Sequence, residues 1–152
     1  MNERYLFKGK RVDNGEWVEG GIYYQKSNNV KDEALYIIGG SLNNVGCAYE
    51  VIPETVRQCT GLRDKNGKLI FKGDVLKGFS YPFLSDGEHN YYAVVVWFED
   101  SAAFGIYTIK NPKSKVRGIS SGNTEYMSEW DSNNWEIIGN IHDNPELTEV
   151  EK

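Results

Sequence analysis

The chain has 152 residues, 39% of them hydrophobic and 13% aromatic, and carries a net charge of −5 with a pI near 5.1. A domain of this size buries roughly 70% of its extended surface, and ten Tyr, six Phe and four Trp are too many apolar rings for a disordered chain. The acidic balance repels polyphosphate at long range and disfavours nucleic acid as a partner. The longest apolar run, Tyr91 to Phe98, is eight residues against about 20 for a membrane-spanning helix, so no membrane association is expected.

In chain order, Trp17 to Tyr24 reads as a strand carrying a Gly20-Gly21 bulge or bend. Leu35 to Ile38 is a short apolar run ended by Gly39-Gly40. Pro53 to Arg57 predicts a single helical turn with Pro at its first position. Asp74 to Phe79 is another short strand. Tyr91 to Phe98 is β-branched or aromatic almost throughout, which suits a strand covered on both faces. Phe104 to Ile109 follows after five residues, so the two read as a hairpin. Lys110 to Glu129 is rich in Gly, Ser, Asn and Lys and reads as one long loop, with Ser80 to Asn90 as a shorter one. Trp135 to Ile141 is the last strand, and Pro145 to Val150 predicts a closing helical turn. No segment sustains a 3.6-residue apolar period, so the class is mostly β with little helix.

One internal echo stands out. Gly9-x-Arg11-x-x-Asn14-Gly15-x-Trp17-Val18 aligns with Gly61-x-Arg63-x-x-Asn66-Gly67-x-Leu69-Ile70, and Gly21 then matches Gly73, at a constant offset of 67 − 15 = 52. Both copies hold Asn-Gly, the dipeptide suited to positive φ in a tight hairpin. Two readings stay open: a duplicated β-hairpin unit with halves at 5–58 and 59–145, or the ordinary likeness of Asn-Gly turns. Either way one mostly-β domain is expected over 1–147, followed by an acidic tail at 148–152.

The chemistry-bearing residues do not assemble into a recognisable centre. Cys47, Cys59, His89 and His142 have neither the spacing of a thiol–imidazole pair nor the close Cys-x-x-Cys of structural zinc. The N-terminal residues lack an apolar signal-peptide core, so both cysteines are expected as reduced thiols in a cytosol. His142-Asp143-Asn144-Pro145-Glu146 suits a ring packed at a strand end, with Asp143 or Asn144 starting the next turn. Asp74 after Gly73 suits a tight turn whose carboxylate holds backbone N–H groups. No phosphate loop is present. Catalytic, cofactor and metal residues are therefore all expected to be none.

Two features suit an interaction surface. Lys110, Lys113, Lys115 and Arg117 are the one local surplus of positive charge, following Tyr107 and Ile109. Tyr23-Tyr24 and Tyr91-Tyr92 are tandem pairs, of which strand geometry sends one ring inward and one outward. Tyr23 and Tyr92 are taken as the outward ones, because exposed tyrosines favour interfaces.

Three segments taken together resemble the YopX family of phages and prophages. They are Phe7-Lys8-Gly9-Lys10-Arg11 with Gly15-Glu16-Trp17-Val18-Glu19-Gly20; Ile52-Pro53-Glu54-Thr55-Val56-x-x-Cys59-Thr60-Gly61-Leu62-x-Asp64-Lys65-Asn66-Gly67 running on to Ile70-Phe71-Lys72-Gly73-Asp74-Val75; and Trp135-Glu136-Ile137-Ile138-Gly139-Asn140-Ile141-His142-Asp143-Asn144-Pro145-Glu146-Leu147. Cys59 departs from the pattern, standing where an aromatic is expected. The resemblance implies a mostly β fold with an SH3-like barrel-type element and expression in a bacterial host cytoplasm. It brings no activity and no catalytic residue. The expectation is thus a non-catalytic phage or prophage accessory protein, an interaction or assembly module whose partner is itself, as a homo-oligomer, or a host or phage protein. The alternatives are a single-stranded nucleic-acid-binding barrel using the Lys110–Arg117 loop and a small enzyme with an unrecognised site.

Overall fold

A computed structural model of the chain describes residues 2–39, 47–79, 90–109, 124–128 and 133–148. These residues are mostly β strand, with helix only as single 3-10 turns, and the chain divides between Gly61 and Leu62 into two compact units.

The first unit contains β1 (Phe7–Lys10), β2 (Trp17–Gln25), β3 (Ala34–Gly39), β4 (Cys47–Val51) and the start of β5 (Arg57–Arg63), in the antiparallel order β4-β3-β2-β1-β5. The anticipated Gly-Gly bend is where β2 changes partner. Trp17 to Gly20 pair with β1, and Gly21 to Gln25 pair with β3. Glycine is required there, because a β-carbon on Gly20 would lie 2.1 Å from the carbonyl oxygen of Ile38. The meander then turns back on itself. Arg11 bridges Val51, Val12 N–H donates to Glu50 O (3.0 Å), and Ile52 N–H donates to Lys10 O (2.8 Å). Ile37 and Val51 are buried inside the curve, beside Gly9, whose missing side chain leaves them room at about 3.1 Å. The Pro53 turn forms as expected. Thr55 fastens it by donating to Ile52 O (2.6 Å) and accepting from Lys10 N–H (2.9 Å).

The second unit contains β6 (Leu69–Phe71), β7 (Asp74–Phe79), β8 (Asn90–Phe98), β9 (Ala103–Ile109), β10 (Thr124–Tyr126) and β11 (Trp135–Asn140), with the antiparallel order β10-β9-β8-β7-β11. The β8–β9 hairpin is the expected one, with Phe98 paired to Ala103 across a turn at 99–102. Ala93 and Val95 of β8 point into a core with Ile70, Leu76 and Ile106, against which Leu62, Met127, Trp135 and Ile137 pack. The alternate residues Tyr92, Val94 and Val96 are half-buried, so burial along β8 alternates, where equal cover on both faces was expected. The stretch read as one loop from Lys110 to Glu129 contains β10, which pairs with β9 through Thr124↔Tyr107 and Tyr126↔Gly105. Three residues are too few to show a period in sequence.

Asp64 ties this unit together. The residue is 2% exposed. Oδ1 accepts from the N–H groups of Asn66 (2.8 Å) and Lys68 (2.9 Å), and Oδ2 accepts from Ile137 N–H (3.1 Å) on β11. Lys65 N–H donates to Trp135 O (2.9 Å), so the turn occupies the outer edge of β11 as a further strand would. Trp135 in turn lies over Gly78, its partner on β7, where a β-carbon would meet the indole at 2.7 Å.

Both Asn-Gly turns place their glycine at positive φ, +71° for Gly15 and +80° for Gly67, as the dipeptide predicts. Elsewhere the two echoes differ. Gly61 and Gly73 also have positive φ, whereas their counterparts Gly9 and Gly21 lie in β1 and β2 without it. Among the described residues neither sheet closes, so the mostly β class holds while the barrel-type element implied by the resemblance is not completed by these strands.

Two substitutions test these constraints. Gly20→Ala forces β2 and β3 apart and is expected to cost about 1–3 kcal/mol, seen as faster amide exchange across both strands. Asp64→Asn turns an amide NH2 toward one of three backbone donors and is expected to lower stability by about 1–3 kcal/mol, read from the urea midpoint of the full chain.

Candidate functional site

The second half of β2, with β3 and β4, forms a three-stranded ribbon whose two faces differ. Antiparallel partners share a face and neighbours alternate. One face therefore carries Ile37 and Val51 toward the buried interior. The other carries Tyr23, Tyr36, Ile38, Ala48 and Glu50, linked by the pairs Tyr23↔Tyr36, Tyr36↔Glu50 and Ile38↔Ala48. Tyr23 is 53% and Ile38 47% exposed. The Tyr23 and Tyr36 rings lie 6.4 Å apart, so the face presents a contiguous aromatic and aliphatic strip with one carboxylate at its margin.

Toward β1 the same side of β2 changes character. Trp17 and Glu19 share this side with Gly21 and Tyr23, and both meet basic side chains. Lys8 pairs with Glu19 (3.6 Å), Lys10 Nζ lies 5.2 Å from the Trp17 ring centroid, and the guanidinium of the buried Arg57 lies 4.5 Å from it. This end is ion-paired and stacked, whereas the β3–β4 end carries its apolar groups in the open.

The tandem tyrosines correct one expectation. Tyr23 and Tyr24 are both about half exposed, at 53% and 50%, where one was expected inside. Beyond Gly21, β2 runs past the covered part of the unit, so Tyr24 and Ile22 on the opposite face reach solvent as well. Tyr24 is hydrogen-bonded to Glu33, which pushes its phenol above the usual value. Tyr92 is half-buried on β8, opposite Lys77 and Ile109, and does not belong to this strip. Lys110, Lys113, Lys115 and Arg117 lie outside the described residues, as do His89, residues 80–89 and the tail from 149.

The remaining chemistry-bearing residues take structural positions. Cys47 is half-buried on β4, Cys59 fully buried on β5, and both are free thiols. Burial pushes the Cys59 thiol up, offset in part by Gly61 N–H, which donates to Sγ (3.4 Å). Asp74 accepts from Phe71 N–H (2.8 Å), the turn role expected of it. At the end of β11 Asn140 Oδ1 accepts from His142 and Asp143 N–H groups (both 3.0 Å), and Asn144 then caps the closing 3-10 turn Pro145–Leu147, the turn-starting role expected of Asp143 or Asn144. The Asn144 side chain reaches back, accepting from Asn140 N–H (3.3 Å). Among the described residues no three His, Cys, Asp or Glu side chains gather as a metal site, and no helix is long and apolar enough to cross a membrane.

The motifs bracketing these elements decide the affiliation. A family model described as YopX protein matches residues 6–149. The chain belongs to the YopX family. The crystal structure of protein EF1440 from Enterococcus faecalis is similar to this YopX-family chain with a TM-score of 0.53 at 21% identity, over 94% of this chain and 96% of that one. At that identity the likeness shows the fold. No curated protein matches the chain.

The thiols give a direct check on this arrangement. A buried, upward-shifted thiol has less thiolate at neutral pH and reacts slowly. Cys47 is expected to be labelled by a maleimide well before Cys59, with Cys59 labelled at the rate at which the unit opens. Equal rates, followed by peptide mass spectrometry, would contradict the burial of β5.

Proposed function

We propose that this YopX-family chain is a non-catalytic phage accessory protein that works in the bacterial cytoplasm as a protein-interaction or assembly module. The interaction face is the Tyr23–Tyr36–Ile38–Ala48 side of the β2–β3–β4 ribbon. The observation that carries this reading is the contrast along one side of the sheet: the Trp17 end is stacked and ion-paired, while at the other end Tyr23 and Ile38 stand in solvent with the half-buried Tyr36 between them. Exposed apolar residues scattered singly are ordinary, but a contiguous strip with aromatic anchors marks a contact surface. As the outer face of a curved ribbon it suits a polypeptide better than a small substrate, which favours a concave pocket. A second copy of the chain is one such partner, since a face of this kind serves self-assembly as readily.

The test is site-specific photo-crosslinking in bacterial cells that express the chain with its phage genes. A benzophenone amino acid in place of Tyr23 is expected to give a discrete adduct identified by mass spectrometry, either a second copy or one defined protein. Ile38→Lys, which places a charge at the centre of the strip, is expected to abolish the adduct without changing the thermal midpoint by more than a few degrees. The same photoprobe at the exposed residue Asn14, in the turn between β1 and β2, is expected to give none. Adducts that are diffuse, equal at both positions, or unaffected by Ile38→Lys would overturn the reading.

A further inference from the structure

In the second unit, the turn after β8 and the strand β10 enclose a cleft of about 180 Å³ lined by Phe98, Asp100, Ser101, Thr124 and Tyr126. It is smaller than the roughly 300–1,000 Å³ of a cofactor or drug-sized pocket and has the scale of a single functional group. The Phe98 and Tyr126 rings meet edge to face, 5.6 Å apart at 88°, and form its aromatic wall, with Tyr126 63% exposed. The polar groups form a chain. Tyr126 Oη lies 3.0 Å from Ser101 Oγ, and Ser101 Oγ lies 3.0 Å from Asp100 Oδ1.

The direction of that chain is fixed by valence. An ionised carboxylate only accepts, so Ser101 donates its one proton to Asp100; having no second proton, Ser101 must accept from Tyr126. Both hydroxyl protons are therefore directed toward Asp100. What these three groups have left to offer an incoming group is lone pairs and negative charge, beside the aromatic rings of Phe98 and Tyr126. Thr124 adds one further hydroxyl, able to donate or accept, and the balance of carboxylate, lone pairs and aromatic rings favours a cation over an anion. The exposed Glu99, next to Asp100, adds to the same field.

We propose that the Phe98–Asp100–Ser101–Tyr126 cleft binds an organic cation of the size of a guanidinium or alkylammonium group. The reading stands apart from the interaction face of the first unit, and either can fail without the other. The cation has two sources, a free small molecule or the side chain of an Arg or Lys in a polypeptide.

The experiment is an NMR titration of the full chain with N-acetyl-arginine methylamide, using the neutral isostere N-acetyl-citrulline methylamide as control. Saturable shifts at the Tyr126 and Phe98 ring protons and the Asp100 and Ser101 amides are expected with the arginine compound and not with the citrulline one. Asp100→Asn is expected to weaken binding about three- to fivefold, as for one exposed ion pair, and Tyr126→Ala by a similar factor through loss of the ring. Tyr126→Phe, which keeps the ring, retains most of the affinity. A Gly/Ser peptide carrying a single Arg separates the sources: tighter binding than the amino-acid amide assigns the site to a polypeptide side chain, and equal binding assigns it to a free cation. Equal shifts with citrulline, no localised shift, or binding unchanged in Asp100→Asn with the remaining spectrum native-like would overturn the proposal.

Discussion

A single buried carboxylate organises the second unit. Asp64 has been taken out of water, and each of its oxygens is answered by backbone N–H groups: two from its own turn, one from a strand 73 residues later. Such bonds to an ionised acceptor are stronger than neutral ones, and an unmatched buried charge would be costly. The turn can therefore adopt its shape only when β11 is in place, and β11 finds its outer edge occupied only when the turn has formed. That mutual requirement fixes the register of β11 against β7, including the bulge at Ile138 between Ile137 and Gly139, and it sets Trp135 over Gly78. It also protects the sheet. The open backbone groups of an edge strand invite pairing with other chains, and at Trp135 and Ile137 the turn occupies them.

The elements legible in the sequence are those whose signal is local. The runs at Asp74–Phe79 and Tyr91–Phe98, the hairpin that follows, the proline-started turn at Pro53 and the two Asn-Gly turns all carry their cause within a few residues. The strands that were not legible are specified by their neighbours. Phe7–Lys10 holds two lysines in four residues, and it is a strand because β2 and β5 flank it on either side. Arg57–Arg63 has a charge at each end, and its first residue is buried against the Trp17 ring. Thr124–Tyr126 is three residues long and exists by pairing with β9.

The surface followed the same rule. Strand alternation predicted that one of Tyr23 and Tyr24 would face outward, without saying which, and both do. The rule assumes that one face is covered, and β2 outruns its cover beyond Gly21. Nor did the sequence reveal that Tyr36, Ile38 and Ala48 would join Tyr23. That assembly depends on the register of two strand pairs, and turn lengths and the glycine at the corner of β2 set the register. Asp64 could have been suspected from Asp-x-Asn-Gly, a pattern in which the first carboxylate often accepts from the turn; its bond to Ile137 has no sequence signal at all.

The return of β4 to the end of β1 bears on the order of events during folding. Arg11 and Val51 are 51 − 11 = 40 positions apart, so they meet only after the intervening chain has been drawn up, and the entropy of closing so long a loop delays contacts of that kind. The hairpin of β8 and β9 joins residues only a few positions apart and needs no such preparation. A nascent chain would therefore hold its first unit as an unclosed ribbon for some time, with Ile37 and Val51 uncovered. In that interval the polypeptide is open to chaperone capture or to clumping with its own copies.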